Sequence, residues 1–323
     1  MKWHVIVNPS AGGGRGGMKW PIIRAELIKE GFEFDFQISE KKDQIITLSK
    51  EAVEQGSKKL IVVGGDGSLF EMVNGIYLQN KVSPSDIVIG QIPVGTGNDW
   101  GKMYENSLDF RKSIQIIKEG RTFRQDLGTI YFPEEKKRYY FVNIAGLGFD
   151  GAVLKEVWKQ KEKGRNGAMI YLLMLVKSLF GSGYHKVTLT YSGTKEEQII
   201  FSMAAGIGRY NGNGMMQLPF SHPADGMLDV SIINKIGKIE VIREVKNLFS
   251  GTYVKNKHVR IRRTDKIIIE SGKKIPVEAD GEFLGYSPVE IGILPAGASF
   301  FINKTDFSID PKIKDYAPDI VQI

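Results

Sequence analysis

The 323-residue sequence predicts an α/β nucleotide-binding domain with a mostly parallel sheet, followed by an all-β, sandwich-like domain with helical insertions. Two observations carry this prediction. In the first third of the chain, short apolar β-branched runs alternate with segments whose apolar residues recur at helical spacing, a pattern typical of a parallel sheet covered by helices. After about Asp126, strand-like runs separated by turn signals dominate. We therefore place the domains at 1–126 and 127–301, and expect the tail 302–323 to return to the first.

The elements of the first domain are predicted from apolar spacing and from glycines that end helices. The predicted strands are 3–7, 33–38, 60–63 and 87–93, and the predicted helices are 19–30, 43–55, 68–79 and 108–119. In the second domain, the predicted strands are 127–132, 138–143, 186–191, 198–207, 228–233, 258–263, 266–271, 276–279 and 287–294. Helical insertions are expected around 151–180 and 239–250, and residues 306–323 show no clear element.

Composition narrows the functional classes. Apolar content of 42% and charged content of 25% are ordinary for a globular protein, and the absence of cysteine excludes disulfides and thiolate sites. The net charge of +7 favours anionic partners such as nucleotides or an anionic membrane surface. No DNA- or RNA-binding motif accompanies the charge, so we do not expect nucleic acid as a partner. The lack of a signal pattern and of an apolar run of about 18 residues predicts a cytoplasmic protein.

Three glycine-rich turns are the most informative feature for function. They are residues 8–17, 64–68 and 93–99, and each follows an apolar β-branched run. Glycine lets the backbone approach a phosphate closely, and the carboxyl ends of parallel strands meet at one edge of a sheet. The sequence therefore predicts a phosphate-binding edge built from three turns. The alternative for the first turn is a surface loop without a ligand.

The chain resembles the diacylglycerol/sphingosine kinase superfamily in residues 8–17, 64–75, 93–99, 141–150, 208–214, 225–230 and 280–282. Within it, the chain looks most like the bacterial soluble lipid kinases of the diacylglycerol kinase type. The motifs keep a consistent order over about 300 residues. The resemblance implies transfer of the ATP γ-phosphate to the hydroxyl of diacylglycerol or a related lipid, with Mg²⁺, in a cleft between the two domains.

The resemblance also implies a set of nucleotide-binding residues around the three turns. They are Asn8, Ser10, Gly12, Gly13, Gly14, Ser39, Gly64, Gly65, Asp66, Gly67, Ser68, Glu71, Asn74, Gly95, Thr96, Asn98, Asp99 and Asp126. Asp66 is also a catalytic candidate, because it can hold a Mg²⁺ ion or orient the acceptor hydroxyl. Read without the family, Asp66 could instead be the N-cap of the following helix, and Asp126 a turn residue.

The proton acceptor is assigned to the sequence Asp280-Gly281-Glu282. Attack on a phosphoryl group needs a carboxylate within reach of the attacking hydroxyl, and the resemblance favours Glu282, with Asp280 second. The alternative is structural, since Asp-Gly between two strand-like runs is a common hairpin connection.

Three positions in two motifs depart from the family pattern. Phe70 stands where the family usually has Asn, and Ser68 where it has Thr, which puts nucleotide preference and rate in doubt. The family's metal loop begins with Ala224 instead of an oxygen ligand. This metal site is therefore either degraded or uses Asp225 or Asp229 instead, with the backbone of Met227.

The lipid side of the reaction is less clear from sequence. The apolar segment 168–180 follows the basic run 155–165, a combination that suits peripheral contact with the inner face of an anionic membrane. The alternative is a helix packed on the β domain. A homodimer is a further possibility. The competing functions are an NAD kinase, a phosphofructokinase-type sugar-phosphate kinase and a catalytically weak nucleotide-binding regulator.

Overall fold

The computed structural model describes residues 2–95, 97–162, 173–174, 177–179, 181 and 183–318. The chain divides into two compact units. Unit 1 contains Met1–Leu127, Tyr140–Val142 and Leu294–Asp306; unit 2 contains Gly128–Tyr139, Asn143–Ile293 and the chain from Phe307 onward. Within the described residues, no helix is both long enough and apolar enough to cross a membrane.

Unit 1 is built on a parallel sheet, as predicted. Its strands are β1 (Trp3–Val7), β2 (Phe34–Ile38), β3 (Lys59–Gly64) and β4 (Val88–Pro93), in the order β2-β1-β3-β4. All three pairings are parallel. The helices are α1 (Ala11–Lys29), α2 (Gln44–Glu54), α3 (Asp66–Leu78), α4 (Asp99–Met103) and α5 (Phe110–Glu119).

The helices cover both faces of this sheet because successive strand residues point to opposite sides. On one face, Val5 and Ile61 pack with Trp20 and Ile23 of α1 and with Ile114 of α5. On the other, α2 and α3 pack against each other and against β1 and β3. After their first residues, β1 and β3 are therefore buried on both faces. This is why these two strands are almost uninterrupted runs of apolar residues.

Two local features of unit 1 differ from the sequence prediction. Helix α1 begins at Ala11 rather than at residue 19, although Gly12, Gly13 and Gly14 inside its first turns have positive φ angles and are not helical. The short helix α4, directly after the third glycine turn, was not predicted.

Unit 2 is a β-sandwich-like domain with mainly antiparallel pairing. Its strands are β5 (Thr122–Phe132, which starts in unit 1), β6 (Lys137–Phe141), β7 (Ile144–Gly148), β8 (His185–Tyr191), β9 (Thr194–Gly206), β10 (Tyr210–Asn211), β11 (Met215–Met216), β12 (Leu228–Asn234), β13 (Val259–Thr264), β14 (Lys266–Ser271), β15 (Pro276–Ala279), β16 (Glu282–Tyr286) and β17 (Val289–Phe301, which ends in unit 1). The described helices are α6 (Phe149–Glu162) and α7 (Lys238–Ser250). The strand order is β16-β15-β7-β9-β8-β14-β17, with β12 between β9 and β13.

The C-terminal tail is divided between the units, which differs from the sequence expectation. Residues up to Asp306 belong to unit 1, as expected, but those from Phe307 belong to unit 2. There Arg209 donates a hydrogen bond of 2.8 Å to the Ser308 carbonyl oxygen, and Ile313 packs with Phe220 and Tyr253. Buried contacts that are distant in sequence thus fix a segment that shows no element pattern.

Candidate active site

The three glycine turns of unit 1 follow β1, β3 and β4, at the same edge of the parallel sheet. Asn8, the residue after β1, links the first two turns: its Nδ2 donates to Ser68 Oγ at 2.9 Å, and its Oδ1 accepts from Ser10 N at 3.1 Å. Gly64 allows this approach, because a Cβ there would lie 2.4 Å from Ser68 Cβ. The expected arrangement of the turns at one edge is therefore present.

The first turn has an open backbone. Gly12, Gly13 and Gly14 have φ angles of 63°, 72° and 93°, the left-handed region that favours glycine. A Cβ on Gly12 would lie 2.3 Å from the Val94 carbonyl oxygen, so this turn touches the end of β4, whereas nothing lies within 4 Å of the same position on Gly13 or Gly14. The turn has the shape needed to present backbone N–H groups to an anion.

Asp66 joins the second turn to the third. Its Oδ2 accepts a hydrogen bond from Asp99 N at 3.0 Å and its Oδ1 accepts from Trp100 N at 3.4 Å. The carboxylate therefore caps α4, and it is not the N-cap of its own helix, where Gly65 occupies that position without a side-chain bond. Gly97 passes between two carboxylates: a Cβ on it would lie 3.2 Å from Asp66 Oδ2 and 3.8 Å from Asp99 Oδ2.

The pKa of Asp66 is raised by these surroundings. Burial, followed by the nearby Asp99 carboxylate, raises that pKa to about 6, and the two backbone N–H groups only partly oppose the rise. Asp99 is itself buried and its Oδ1 accepts from Lys102 Nζ at 3.0 Å. A carboxyl with a raised pKa, such as that of Asp66, at the carboxyl edge of a parallel sheet is typical of a functional site.

Several of the other predicted nucleotide residues make structural hydrogen bonds. Glu71 Oε2 accepts from Ile45 N, at the start of α2, at 3.2 Å. Asn74 bonds both backbone groups of Tyr140, donating to its oxygen at 2.8 Å and accepting from its nitrogen at 3.0 Å. These interactions support α2 and β6.

Four further positions at or near the edge are buried. Ser39 donates to the Val7 carbonyl oxygen at 3.3 Å, and Asp126 accepts from Ala296 N at 2.7 Å. Asn98 adopts a left-handed conformation with φ of 54°, and its Oδ1 has no hydrogen-bond partner among the described residues. Phe70, where the family usually has an amide, is a core residue of α3. Thr96 lies outside the described residues.

In unit 2, Asp280 and Gly281 form the two-residue turn between β15 and β16. Their φ angles of 49° and 83° are those of a type I′ turn, so the hairpin interpretation is correct as structure. Asp280 Oδ1 accepts from Asn143 N at 3.0 Å and from Ile144 N at 3.2 Å, which fixes the turn to the start of β7. Glu282, the first residue of β16, is partly exposed.

A buried acid that the sequence analysis missed supports the same turn. Glu278 is fully buried; its Oε2 accepts from Gly281 N at 3.2 Å and its Oε1 from Asn211 Nδ2 at 3.3 Å. Asn211 Nδ2 also lies 3.2 Å from Gln217 Oε1, and Gln217 Nε2 donates to Asp150 Oδ2 at 3.0 Å. Burial, and then the negative charge of Asp150, raises the pKa of Glu278 well above its ordinary value.

One sequence signal could have revealed this network. Residues 277–279 are consecutive buried residues of β15, and a glutamate inside such a run must find polar partners. The motif segments 141–150 and 208–214 supply them. Gly146 also makes room, because a Cβ there would lie 2.6 Å from Glu278 Oε1.

The proposed metal loop is occupied by an arginine. Arg263 on β13 is in cross-strand register with Asp229 on β12, and its Nε lies 3.6 Å from Asp229 Oδ1. Its Nη2 bonds the carboxylate of Asp225, whose other oxygen accepts from Met227 N at 3.1 Å. A guanidinium group thus already pairs with Asp225 and lies beside Asp229, whose pKa burial still raises to about 7. A positive side chain at this position disfavours a metal ion there.

Two family models match the chain, one in each half. The family model "Diacylglycerol kinase catalytic domain" matches residues 2–130, and "YegS C-terminal NAD kinase beta sandwich-like domain" matches residues 143–301. The two matched regions correspond closely to the α/β and β-sandwich-like parts of the chain.

Relatives with similar length support the same assignment. A diacylglycerol kinase of Staphylococcus carnosus (strain TM300) is 27% identical over 285 residues, 88% of this chain and 90% of its own. A diacylglycerol kinase of Staphylococcus epidermidis (strain RP62A) is 26% identical over 319 residues, which cover 98% of this chain and 97% of the relative. A crystal structure of a diacylglycerol kinase from Bacillus anthracis str. Sterne has the same fold, with a TM-score of 0.69 at 20% identity over 94% of this chain and 97% of that one. The chain belongs to the diacylglycerol kinase-type family of lipid kinases.

Proposed function

We propose that the protein transfers the γ-phosphate of ATP to the hydroxyl of diacylglycerol or a closely related lipid. The observation that carries this proposal is the Asp66 arrangement: a carboxylate fixed by two backbone N–H groups, next to open glycine turns, at the carboxyl edge of a parallel sheet. Diacylglycerol is the first acceptor to test because the relatives from Staphylococcus carry its name. The nucleotide phosphates would contact the backbone of Gly12–Gly14.

The residues around Gly97 fit a divalent cation, the partner that a kinase of this family implies. Asp66 and Asp99 supply hard oxygen ligands. Burial, and then the Asp99 carboxylate, raise the pKa of Asp66, and a bound cation would stabilise the ionised form against both effects. When bound, Mg²⁺ would neutralise charge on the phosphate oxygens. Within the described residues no cluster of three acidic or imidazole groups is preassembled, so phosphate oxygens would have to complete the coordination.

The chemical step requires that one proton leave the acceptor hydroxyl. In the proposed mechanism Glu282 accepts that proton, the hydroxyl oxygen forms a bond to the γ-phosphorus, and the bond from phosphorus to the β–γ bridging oxygen breaks, releasing ADP. Asp280 is the weaker candidate, because one of its oxygens already receives two backbone N–H groups. Its role in this mechanism is to hold the turn that presents Glu282.

The decisive experiment measures the product. Purified protein is incubated with Mg²⁺ and ³²P-labelled ATP in parallel with dispersed diacylglycerol, other lipid alcohols, NAD and fructose 6-phosphate. Label in phosphatidic acid supports the proposal. Label in NADP or in a sugar bisphosphate would replace it with one of the alternative kinases. Tight ATP binding without any labelled product would identify a nucleotide-binding regulator.

Replacing Glu282 with Gln removes the proton acceptor while keeping the shape of the side chain. We expect phosphoryl transfer to fall on the order of 10²–10⁴-fold, with ADP affinity and melting temperature unchanged. The comparison variant is Asp280→Asn, which should lower the melting temperature because it disturbs the turn. Normal turnover in Glu282→Gln, together with a stable but inactive Asp280→Asn, would reverse the two roles.

The pKa of Asp66 predicts a pH dependence of nucleotide binding. Since this pKa is about 6, the carboxylate is mostly ionised at pH 8 and mostly protonated at pH 5. A cation ligand must be deprotonated, so Mg·ADP should bind about tenfold more weakly at pH 5 than at pH 8, measured by calorimetry.

The matched variant for this measurement is Asp66→Asn. It should bind Mg·ADP weakly at both pH values, leaving only the dependence that arises from protonation of the nucleotide itself. An identical pH profile in the two proteins would remove Asp66 from the cation site.

Because Arg263 of β13 binds the carboxylate of Asp225, we predict that the loop around Asp225 needs no divalent ion for its stability. The melting temperature of the wild-type protein should be the same in EDTA and in MgCl₂. Arg263→Met should melt lower and respond to Mg²⁺, because it leaves two neighbouring carboxylates without their cation. Arg260→Met, exposed on the same strand, is the matched control. A Mg²⁺ response of the wild type that Asp225→Asn abolishes would contradict this.

A further inference from the structure

We propose that the outward face of α7 docks on the surface of an anionic lipid bilayer. This deepens the proposed function and rests on it for one point only, that the acceptor lipid resides in a membrane. The α7 face is defined by the apolar residues Ile239, Ile242 and Phe249 and by the basic residues Lys238, Arg243 and Lys246. It differs from the segment 155–180, for which the sequence predicted membrane contact and half of which lies outside the described residues.

The apolar part of the α7 face is unusually exposed. Ile239, Ile242 and Phe249 have 69%, 53% and 52% of their surface open to solvent. Their spacing of three and seven residues puts them on one side of a helix with 3.6 residues per turn. Each such side chain is stabilised when it leaves water, so three together form a substantial insertion surface.

The opposite side of α7 is already packed against unit 2. Val241 packs on the cluster formed by Phe149, Val153 and Phe201, and Leu248 packs on the cluster containing Phe220 and Tyr253. The orientation of the helix is therefore fixed, and rotation cannot bury the exposed apolar residues. An amphipathic helix held in this way presents its outer face to whatever approaches the protein.

Charge is divided around α7 in the way that an interfacial helix requires. Arg243 and Lys246 are exposed and share the outer side with the apolar residues. The acidic residues turn elsewhere: Glu240 accepts from Asn256 Nδ2 at 3.0 Å and lies 3.7 Å from His258 Nε2, and Glu244 accepts from Asn247 Nδ2 at 2.8 Å. A face that combines apolar side chains with cations fits anionic lipid headgroups above acyl chains.

The same charges argue against a second copy of the chain as the partner. A two-fold interface centred on α7 would place the basic residues of one copy close to those of the other, and the whole chain carries a net charge of +7. An anionic bilayer has the opposite sign. We therefore assign the face to lipid, with self-association as the competing outcome.

The test is vesicle binding without nucleotide, so that it does not depend on kinase activity. Wild-type protein should sediment with phosphatidylglycerol–phosphatidylcholine vesicles, bind pure phosphatidylcholine more weakly, and release in high salt. Lys238→Gln, Arg243→Gln and Lys246→Gln together should weaken binding to the anionic vesicles about a hundredfold. The triple variant Ile239→Ser, Ile242→Ser, Phe249→Ser should bind neither vesicle type measurably.

The matched control replaces three exposed apolar residues of unit 1, Ile22, Ile28 and Leu78, with Ser and should bind vesicles like the wild type. All variants should keep the wild-type melting temperature, and all should phosphorylate a water-soluble short-chain diacylglycerol at the wild-type rate. Loss of that reaction in every protein would refute the proposed function but not the docking face. The docking proposal would be overturned if the Ile239→Ser, Ile242→Ser, Phe249→Ser variant bound vesicles normally. It would also be overturned if the wild type were a dimer and this variant a monomer.

Discussion

The parallel pairing of β1, β3 and β4 is the constraint on which unit 1 depends. Because the strands run in the same direction and in fixed register, their three following turns must meet at one edge. Only glycine permits the contacts made there, as the 2.3 Å separation between the Gly12 Cβ position and the Val94 oxygen demonstrates. The carboxylate of Asp66, in the second turn, accepts hydrogen bonds from two backbone N–H groups at the end of the third turn, and so holds the two turns together.

In unit 2, two buried acidic residues belong to one hydrogen-bond network. Glu278 and Asp150 lie in surroundings that disfavour their charged forms, and the amide side chains of Asn211 and Gln217 connect them by hydrogen bonds. Burying such groups is costly unless every partner is present, so the network specifies one arrangement of the strands. The turn between β15 and β16 is held by two hydrogen bonds: Glu278 accepts from Gly281 N, and Asp280 accepts from Asn143 N.

The sequence predicted what depends on local pattern. The four strands of unit 1, the order of strands and helices, the change to antiparallel pairing and the glycine turns are all visible as periodicity or composition. It could not predict contacts between residues distant in the chain. The carboxylate of Asp66 serves a helix that begins 33 residues later, Asn74 serves a strand 66 residues away, and Arg263 meets Asp229 only because β12 and β13 pair. The sequence motifs identified Asp66, Asn74 and Asp229 as candidates, but their hydrogen-bond and ion-pair partners depend on strand pairing and packing.

The length of the Asp280-Gly281 turn has a consequence for how this family can vary. Neighbouring residues of a strand point to opposite faces of a sheet, so the turn fixes not only where Glu282 lies but which way it faces. An inserted or deleted residue would exchange the positions of Glu282 and Phe283, giving an aromatic ring where a carboxylate stood. Substitutions within the hairpin can therefore accumulate one at a time, whereas a change in its length must be compensated in the same step.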